Sequence, residues 1–258
     1  MDGANYYFSK EDSYEEPFSF FQLSLLSSRK LRKEGLSFGC PLCEVKDKEI
    51  CLKKLKYGGF FFNKYPIVDK SYLYISCQHK NLINKEDLFD IRQLILENPN
   101  LLLFSNMDGI SSLPDHFHLE CIASSYIPKV ITNKLKLSIL SDVGIGENFY
   151  VDFIYFDLEN ISNLDRFLIF YKILKYKGFR FNIIFFHNYL LIHILKKKLI
   201  SLESIDCSAR TFLGLFSTSD PNKFEDMRSK GLLRILKENT LSKTSLGKLF
   251  SEFVEGVG

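Results

Sequence analysis

The sequence predicts an α+β protein in which antiparallel sheets are covered by packed helices. Short runs rich in Phe, Tyr, Ile and Leu are separated by Gly, Pro and Asn breaks, which is typical of strands joined by turns. Two segments, residues 84–98 and 163–177, instead carry apolar residues at helical spacing. An order of two strands, one helix and two strands is therefore predicted twice, over residues 58–120 and again over 134–195.

Composition and charge narrow the class of protein. A chain of 258 residues with 46% hydrophobic residues can bury a large core, as one large domain or two small ones. The net charge of +3 is spread along the sequence, which argues against a nucleic-acid binder. Residues 1–17 lack the apolar core of a signal peptide, and no run reaches the ~18 apolar residues of a membrane span. We therefore expect a cytoplasmic protein without membrane partners, whose six cysteines are thiols.

The first 39 residues are predicted to form an N-terminal tail and one helix. Residues 18–34 place apolar side chains on one side of an amphipathic helix and basic residues near its end. Gly35 is a suitable residue to end that helix.

A Cys-x-x-Cys motif follows at Cys40 and Cys43. Two thiolates separated by two residues can bind one metal ion from a tight turn. The alternative is a thioredoxin-like redox pair, which would lie between a strand and a helix of a βαβ unit. The neighbouring residues do not predict such a unit, but the motif taken alone leaves both interpretations open.

Two strands are predicted next, at residues 58–63 and 71–76. Pro66 lies between them and stops strand pairing, because proline has no backbone N–H to donate. Asn63, at the end of the first strand, is a candidate turn-capping residue.

A helix is predicted from Asn84 to about residue 98. Asn84 and Asp87 have the spacing of a capping box, with Asp in place of the usual Glu, and Pro99 ends the helix. A short buried strand at residues 101–104 then leads to Asn106 in a polar loop that contains glycine.

Polar and apolar residues alternate strictly from His116 to Glu120. Because successive side chains of a strand point to opposite faces, His116, His118 and Glu120 share one face, with neighbours about 6.5–7 Å apart. The two apolar residues between them can pack on a core. A strand with two solvent-exposed histidines is the plain alternative, but three of the five histidines in the chain fall between residues 79 and 118, which favours a site.

These residues resemble the histidine-triad superfamily. The order Asn106-x-x-Gly109, then a serine, then His116-x-His118 is similar to one branch of it, that of galactose-1-phosphate uridylyltransferase, dinucleoside tetraphosphate phosphorylase and the nucleotide-sugar phosphorylases. The resemblance implies that His118 attacks the α-phosphate of a nucleotide and carries the nucleotidyl group. It also implies that His116 can be a zinc ligand.

The resemblance implies a set of substrate-binding residues as well. Asn106, Gly109, Ser111 and Ser112 match the phosphate-side loop of the family, where glycine lets the backbone approach an anion and hydroxyls can donate hydrogen bonds. Which of the two serines takes the family role stays open. The family also has an Asn-x-aromatic-Pro element beside the nucleoside, so Asn63 would contact the ribose or base, with turn capping as the alternative.

A structural zinc site is the third implication. In the uridylyltransferase branch a histidine after the second strand completes the metal site, and His79 has that position here, with Cys77 as an alternative ligand. Four protein ligands would form a closed tetrahedral Cys2His2 shell. They would be Cys40, Cys43, His79 and His116. Such a zinc ion would fix the start of the histidine strand and so position His118.

The second half of the chain is predicted to be a degenerate copy of the first. Strands are predicted at residues 134–140 and 150–156, a helix at 163–177, and a hairpin of strands at 179–186 and 189–195. Its last strand keeps one histidine, His193, for which a core or surface residue is the favoured interpretation. The resemblance thus implies two tandem histidine-triad-like repeats, at residues 40–130 and 131–200, followed by a C-terminal helical packing segment at 201–258.

Glu120 departs from the family, which has Gln or His at this position. Gln can donate a hydrogen bond to phosphate oxygens, whereas an ionised Glu can only accept. At ~6–7 Å and an effective dielectric constant near 20, its repulsion from one phosphate charge is roughly 2.5 kcal/mol. As a catalytic residue Glu120 would be protonated beside phosphate, stabilise a cationic His118, or contact a cation on the substrate. Otherwise activity has been lost.

Two functions follow from these residues. The first is a nucleotidyltransferase or phosphorylase that acts on a nucleoside diphosphate sugar or a dinucleoside polyphosphate. Its His118 would pass the nucleotidyl group to inorganic phosphate or a sugar phosphate. The second is a zinc-stabilised nucleotide-binding protein without turnover, which the presence of Glu120 favours. A homodimer, in which a second chain completes the pocket, stays open in either case.

Overall fold

A computed structural model of the chain describes residues 7–9, 22–25, 40, 42–44, 51–63, 68, 71–106, 116–127, 129–139, 141–146, 149–196, 208–218, 222, 225–226, 229 and 231–257. Its strands are β1 (Tyr7–Ser9), β2 (Gln22–Leu25), β3 (Cys51–Lys54), β4 (Gly58–Phe62), β5 (Tyr72–Ser76), β6 (Leu101–Asn106), β7 (His118–Ala123), β8 (Val143–Gly146), β9 (Phe153–Asp157), β10 (Arg180–Phe186), β11 (Tyr189–Leu195) and β12 (Leu215–Thr218). Its helices are α1 (Lys85–Glu97), α2 (Lys129–Leu137), α3 (Ser162–Tyr176), α4 (Ala209–Phe212), α5 (Leu232–Asn239) and α6 (Lys243–Val257).

A large antiparallel sheet dominates the described residues. It contains nine of their strands in the order β3-β4-β5-β7-β6-β10-β11-β9-β8, and each neighbouring pair is antiparallel. A smaller sheet among the same residues has the order β1-β2-β12, in which β2 and β12 run parallel. The protein is therefore α+β, as the sequence predicts.

Two parts of the large sheet have the same strand order. The first half runs β4-β5-β7-β6 toward the middle, starting beside edge strand β3, and the second half runs β8-β9-β11-β10 inward from the other edge. Helix α1 follows β5 in the first half, and helix α3 follows β9 in the second. The halves meet where β6 pairs with β10, and Asn106 lies opposite Asn182 across this junction.

Both faces of the large sheet are covered. One face packs against α1, α3 and α6 through a cluster that contains Leu119 and Phe156. The other packs against α2, α4 and α5 through a second cluster that contains Ile122 and Phe212. Each large apolar side chain buried in this way contributes about 1.5–3 kcal/mol, so these two clusters hold the strands in register.

Helix α1 begins as predicted, at a capping box. Asn84 Oδ1 accepts a hydrogen bond from the backbone N–H of Asp87 at 2.9 Å, and Asp87 Oδ2 accepts one from the N–H of Asn84 at 3.1 Å. Asp87 is fully buried, but Lys80 Nζ lies 2.8 Å from its carboxylate and the hydroxyl of Tyr74 donates to it. Burial raises the pKa of Tyr74, with the charge of Asp87 as a second cause.

The second-half hairpin and helix also agree with the prediction. β10 and β11 pair directly across a two-residue turn at His187 and Asn188. Helix α3 ends at Tyr176, and Gly178 follows with φ of +67°, the left-handed conformation that glycine adopts easily beyond a helix.

The strand predicted at residues 134–140 is wrong, because this region belongs to helix α2. The Lys-Leu-Lys-Leu run at 134–137 imitates the alternation of a strand, but Ile131 and Leu135 lie one helical turn apart and are both buried. The edge strand of this half is β8 instead, and the strand predicted at 150–156 is β9, which begins three residues later.

The helix predicted at residues 18–34 is wrong where the structure describes it, since 22–25 form β2. Leu23 and Leu25 alternate with Gln22 and Ser24, and this period of two is that of a strand. The remainder of the predicted helix, Gly35 and Pro66 lie outside the described residues.

The C-terminal segment contains the predicted packing helices, α5 and α6, which contribute buried Leu236 and Leu246 to the two faces. It also contains β12, which the prediction of a purely helical segment missed. Across the described ranges, none of the helices combines the length and apolar character needed to cross a bilayer.

Candidate active site and metal centre

Strand β7 presents His118 and Glu120 on one face of the sheet. Leu119 and Cys121 are fully buried on the opposite face, whereas His118 and Glu120 are partly exposed. Burial raises the pKa of the Cys121 thiol, so this cysteine is a neutral core residue. The alternation predicted from the sequence is therefore confirmed from His118 onward, but His116 lies just before the strand begins.

The ring of His118 is oriented by the backbone. Its Nδ1 lies 2.8 Å from the carbonyl oxygen of His116. A carbonyl can only accept a hydrogen bond, so Nδ1 is the protonated nitrogen and the neutral ring has its lone pair on Nε2. The second histidine of the motif thus presents a basic nitrogen on a ring whose tautomer is fixed.

Four side chains that can bind a metal meet in front of β7. Among the described residues, the ligand atoms of one such group all lie within 4.8 Å of one another. Its members are Cys40, Cys43, His79 and His116. The group contains His79 and does not include the neighbouring Cys77.

The spacing within this group fits a tetrahedral metal ion. His116 Nδ1 lies 3.3 Å from Cys40 Sγ and 3.6 Å from Cys43 Sγ, and His79 Nδ1 lies 3.4 Å from Cys43 Sγ. Bonds of ~2.3 Å to sulfur and ~2.0 Å to nitrogen at a tetrahedral angle hold sulfur and nitrogen about 3.5 Å apart. These three distances match that value, and the Cys2His2 group could hold a metal ion.

His116 is set up for ligation by its second ring nitrogen. The residue is only 1% exposed, and its Nε2 donates to the carbonyl of Ser76 at 3.0 Å. This hydrogen bond fixes the tautomer with the lone pair on Nδ1, the nitrogen that faces the two thiols. The backbone of Phe117 is held by β5 and the following loop, through bonds with Ser76 and Lys80.

The two cysteines are held by a short helical turn at 42–44. The backbone N–H of Glu44 donates to the carbonyl of Cys40, and buried Leu42 packs with Phe61 and Ile75. Leu42 is the residue between the thiols that anchors the turn to the sheet. The apolar residue inside the Cys-x-x-Cys motif thus aims both sulfurs at the histidines.

Glu120 has polar neighbours from two distant parts of the chain. Its Oε1 lies 3.5 Å from the hydroxyl of Ser71, which accepts a hydrogen bond of 3.0 Å from the side chain of Asn63. Its Oε2 lies 3.9 Å from Nε of Arg210 in α4, near the outer limit of an ion pair. Asn63 is thus connected to Glu120 through Ser71.

Asn106 fixes the helix that carries Arg210. Its Oδ1 accepts a hydrogen bond of 2.8 Å from the backbone N–H of Ala209, the first residue of α4. Phe104 pairs with Glu120 across β6 and β7, and continuing that register puts Asn106 opposite His118. Gly109, Ser111 and Ser112, the other predicted residues of this loop, lie outside the described residues.

Arg210 is the residue that sequence reasoning missed. It lies in the segment predicted only to pack, and no local motif surrounds it. The signal in the sequence was Glu120: its carboxylate has no cationic residue beside it in the histidine motif, so a cation from elsewhere in the chain was to be expected.

The second half has a histidine at the corresponding position. His193 pairs with Asn182 across β10 and β11 and is 1% exposed. Its ring contacts the Asn182 amide at 3.2 Å and the Thr240 hydroxyl at 2.8 Å. Burial lowers the pKa of His193 to about 3, so this histidine is neutral and enclosed, as the favoured interpretation expected.

Some known proteins are similar to this chain in structure. No family model matches the sequence, and no curated protein matches it. Yeast Ap4A phosphorylase Apa2 is similar at a TM-score of 0.65 and 14% identity, over 93% of this chain and 90% of that chain. Its complex with AMP gives 0.61 at 14% identity over 94% and 90%, and its complex with Ap4A gives 0.62 at 14% over 93% and 90%.

A DUF4931 family protein from Bacillus cereus is a more distant likeness, with a TM-score of 0.43 at 12% identity over 72% of this chain and 99% of that chain. The match to Apa2 extends over nearly the whole of both proteins, and at this identity it is a likeness of fold. The chain therefore has the fold of yeast Ap4A phosphorylase Apa2, in agreement with the resemblance predicted from the histidine motif.

Proposed function

We propose that the protein is a nucleotidyltransferase or phosphorylase that forms a covalent nucleotidyl intermediate on His118. The observation that carries this proposal is the hydrogen bond of 2.8 Å between His118 Nδ1 and the carbonyl of His116. It leaves the lone pair on Nε2, which is the nitrogen that would attack phosphorus. The likeness in fold to yeast Ap4A phosphorylase Apa2 supports this class of reaction.

The reaction has two displacements at one phosphorus atom. In the first, the Nε2 lone pair of His118 forms a bond to the α-phosphorus, and the leaving group departs with the electrons of the broken P–O bond. In the second, an oxygen of inorganic phosphate or a sugar phosphate attacks the phosphorus, and the electrons of the P–N bond return to the ring. Dividing the transfer in this way replaces one difficult displacement with two easier ones. The His116 carbonyl holds the Nδ1 proton throughout, and so stabilises the ring while it is cationic.

The substrate class is a nucleoside diphosphate sugar or a dinucleoside polyphosphate. Yeast Ap4A phosphorylase Apa2 forms complexes with AMP and with Ap4A, which supports a nucleotide ligand here. Asn106, Gly109, Ser111 and Ser112 would bind the phosphates, and Asn63 the nucleoside. Asn106 and Asn63 have the supporting contacts described above, through Ala209 and Ser71.

The metal is proposed to be a structural zinc ion held by Cys40, Cys43, His79 and His116. When bound, it would supply a crosslink and no Lewis-acid chemistry, because four protein ligands close its coordination shell. The ion would thereby help to position His118, whose ring is oriented by the backbone carbonyl of the ligand residue His116.

The common strand order of the two halves supports tandem repeats, of which the second has lost its chemistry.

A second candidate function is nucleotide binding without turnover. Glu120 favours it, because the family residue is a neutral donor and this chain has a carboxylate 3.9 Å from Arg210 instead.

No nucleic-acid partner is expected from a net charge of +3.

Labelling distinguishes the two functions. The full chain is incubated with α-labelled nucleotide sugars and dinucleotides, with and without inorganic phosphate. An acid-labile, base-stable label that disappears in His118→Ala supports the enzyme. Nucleotide binding without label under any of these conditions supports the binding protein, and absence of both overturns the proposed function.

Zinc is tested separately by metal analysis of protein purified without chelator. We expect about one zinc ion per chain, reduced in His116→Ala. Another metal in the same amount, or a wild-type protein without metal, would contradict the zinc proposal.

A further inference from the structure

We propose that Arg210 binds the phosphoryl oxygens of the nucleotide at His118, and that it makes the site selective for phosphorylated ligands over neutral nucleosides. This inference rests on the proposed function, because it names a further binding residue of the same site. Three observations support it: the contact of Arg210 with Glu120, the way α4 is fixed, and the charge that a phosphate would meet.

The contact with Glu120 puts the guanidinium on the reactive face of β7. Arg210 Nε lies 3.9 Å from Oε2 of Glu120, and the two side chains are only 16% and 18% exposed. Glu120 lies two residues from His118 on the same face. The partly buried guanidinium therefore lies against a neighbour of His118, on the face where the nucleotide phosphorus would bind.

Helix α4 holds Arg210 rigidly. Ser208 caps the helix, with its hydroxyl 3.4 Å from the N–H of Thr211, and the N–H of Ala209 is bound by Asn106. Phe212 is fully buried, and its ring packs at a tilt against that of His193, with 4.7 Å between centroids. Because the backbone on both sides is fixed, a ligand that binds Arg210 does not have to order its helix.

Charge explains why a cation belongs at this position. A phosphate beside His118 would be repelled by the Glu120 carboxylate, which the family replaces with a neutral side chain. A guanidinium offers a planar fork of donors that matches two phosphate oxygens, and it stays charged at all working pH values. In this chain Glu120 and Arg210 together would thus provide the hydrogen-bond donor to phosphate oxygens that a neutral side chain provides in the family.

Ligand affinity tests the proposal. Dissociation constants of the full-length protein are measured by calorimetry for four nucleoside monophosphates and the matching nucleosides. Arg210→Gln should weaken the best-bound monophosphate about 10- to 100-fold and leave its nucleoside unchanged, since one charge-assisted hydrogen bond is lost. Arg210→Lys should recover part of the loss, because it keeps the charge without the fork.

Arg234→Gln is the matched control, because Arg234 forms an exposed ion pair with Glu238 in α5. It should change neither affinity. Arg210→Met, with an unbranched side chain, replaces the Gln variant if that one does not fold.

Equal monophosphate affinity in wild type and an uncharged Arg210 variant would overturn the inference and leave the proposed function standing. The same follows from an equal loss for nucleoside and monophosphate, which is what a merely structural role would give. A wild-type protein that binds no nucleotide overturns both.

Discussion

His118 and His193 occupy corresponding places in the two halves of the sheet, but their surroundings differ. The row across the sheet reads His118, Asn106, Asn182 and His193, with the junction of the halves between the two asparagines. In the first half the asparagine binds the backbone of α4, and the histidine is partly exposed. In the second half the asparagine contacts the histidine itself, which is enclosed.

One helix accounts for much of this difference. Phe212 of α4 packs over His193, whereas Arg210 of the same helix reaches Glu120 in the first half. The same strand position is therefore a neutral core residue under an aromatic ring and a candidate nucleophile beside a cation. What covers the sheet, and not the strand itself, decides whether the histidine is open to chemistry.

Removing the imidazole of His118 should have the largest effect on turnover. His118→Ala should abolish the covalent label and reduce turnover roughly a thousandfold or more, because it removes the nucleophile. The control is His187→Asn, at a turn with φ of +50° that asparagine tolerates, and it should keep full turnover. Turnover that survives His118→Ala would assign the chemistry to another residue.

Metal removal should have the next largest effect, and it should destabilise the first half of the sheet more than the second. Chelation, or the variant Cys43→Ala, should destabilise the surroundings of His116 by several kcal/mol, since ligand binding is coupled to local folding. Hydrogen exchange should show faster exchange in β5 and β7 while β10 and β11 stay protected. Equal loss of protection in both hairpins would mean that the metal supports the whole sheet.

His193 should matter for stability more than for turnover. His193→Ala should lower the free energy of unfolding by about 2–4 kcal/mol, because it leaves a cavity and removes the partner of buried Asn182 and Thr240. Urea unfolding measures the loss. Turnover per folded molecule should stay within a few-fold of wild type, and a drop as large as that of His118→Ala would contradict a structural role.

The pH dependence of stability should carry a second signature of His193. Burial lowers the pKa of His193 to about 3 in the folded protein, against 6.5 for an exposed imidazole, so between these two pH values the unfolded chain binds more protons. Stability from this group is complete above 6.5 and falls by about 1.4 kcal/mol per pH unit from there toward 3. The wild-type curve should therefore converge on that of His193→Gln, which has no proton to bind. Parallel curves would show that His193 is accessible to protons.

Motifs with a local signature were predictable from the sequence. The Cys-x-x-Cys turn, His79 and the His-x-His strand form one cluster, as expected, because each motif contains its own chemistry and the family order says which of them meet. The capping box of α1 was equally predictable, since its partners are three residues apart.

The remaining features depend on contacts between distant residues. Arg210 and Glu120 are separated by 90 positions and lie in elements with no shared motif, so only the packing of α4 brings them together. Helix α2 was missed for a related reason. Its alternating lysines and leucines fit a strand, but the segment forms a helix that buries Ile131 and Leu135 against the sheet.

The position of the four candidate ligands along the chain has a consequence for biosynthesis. They come from three segments, in which His79 lies 36 positions after Cys43 and His116 lies 76 positions after Cys40. An ion that joins them closes two long loops, and such closure restricts the unfolded chain in the way a disulfide does. The metal site can be completed only after His116 has left the ribosome, so a growing chain could bind the ion through all four ligands only once these three segments have been made.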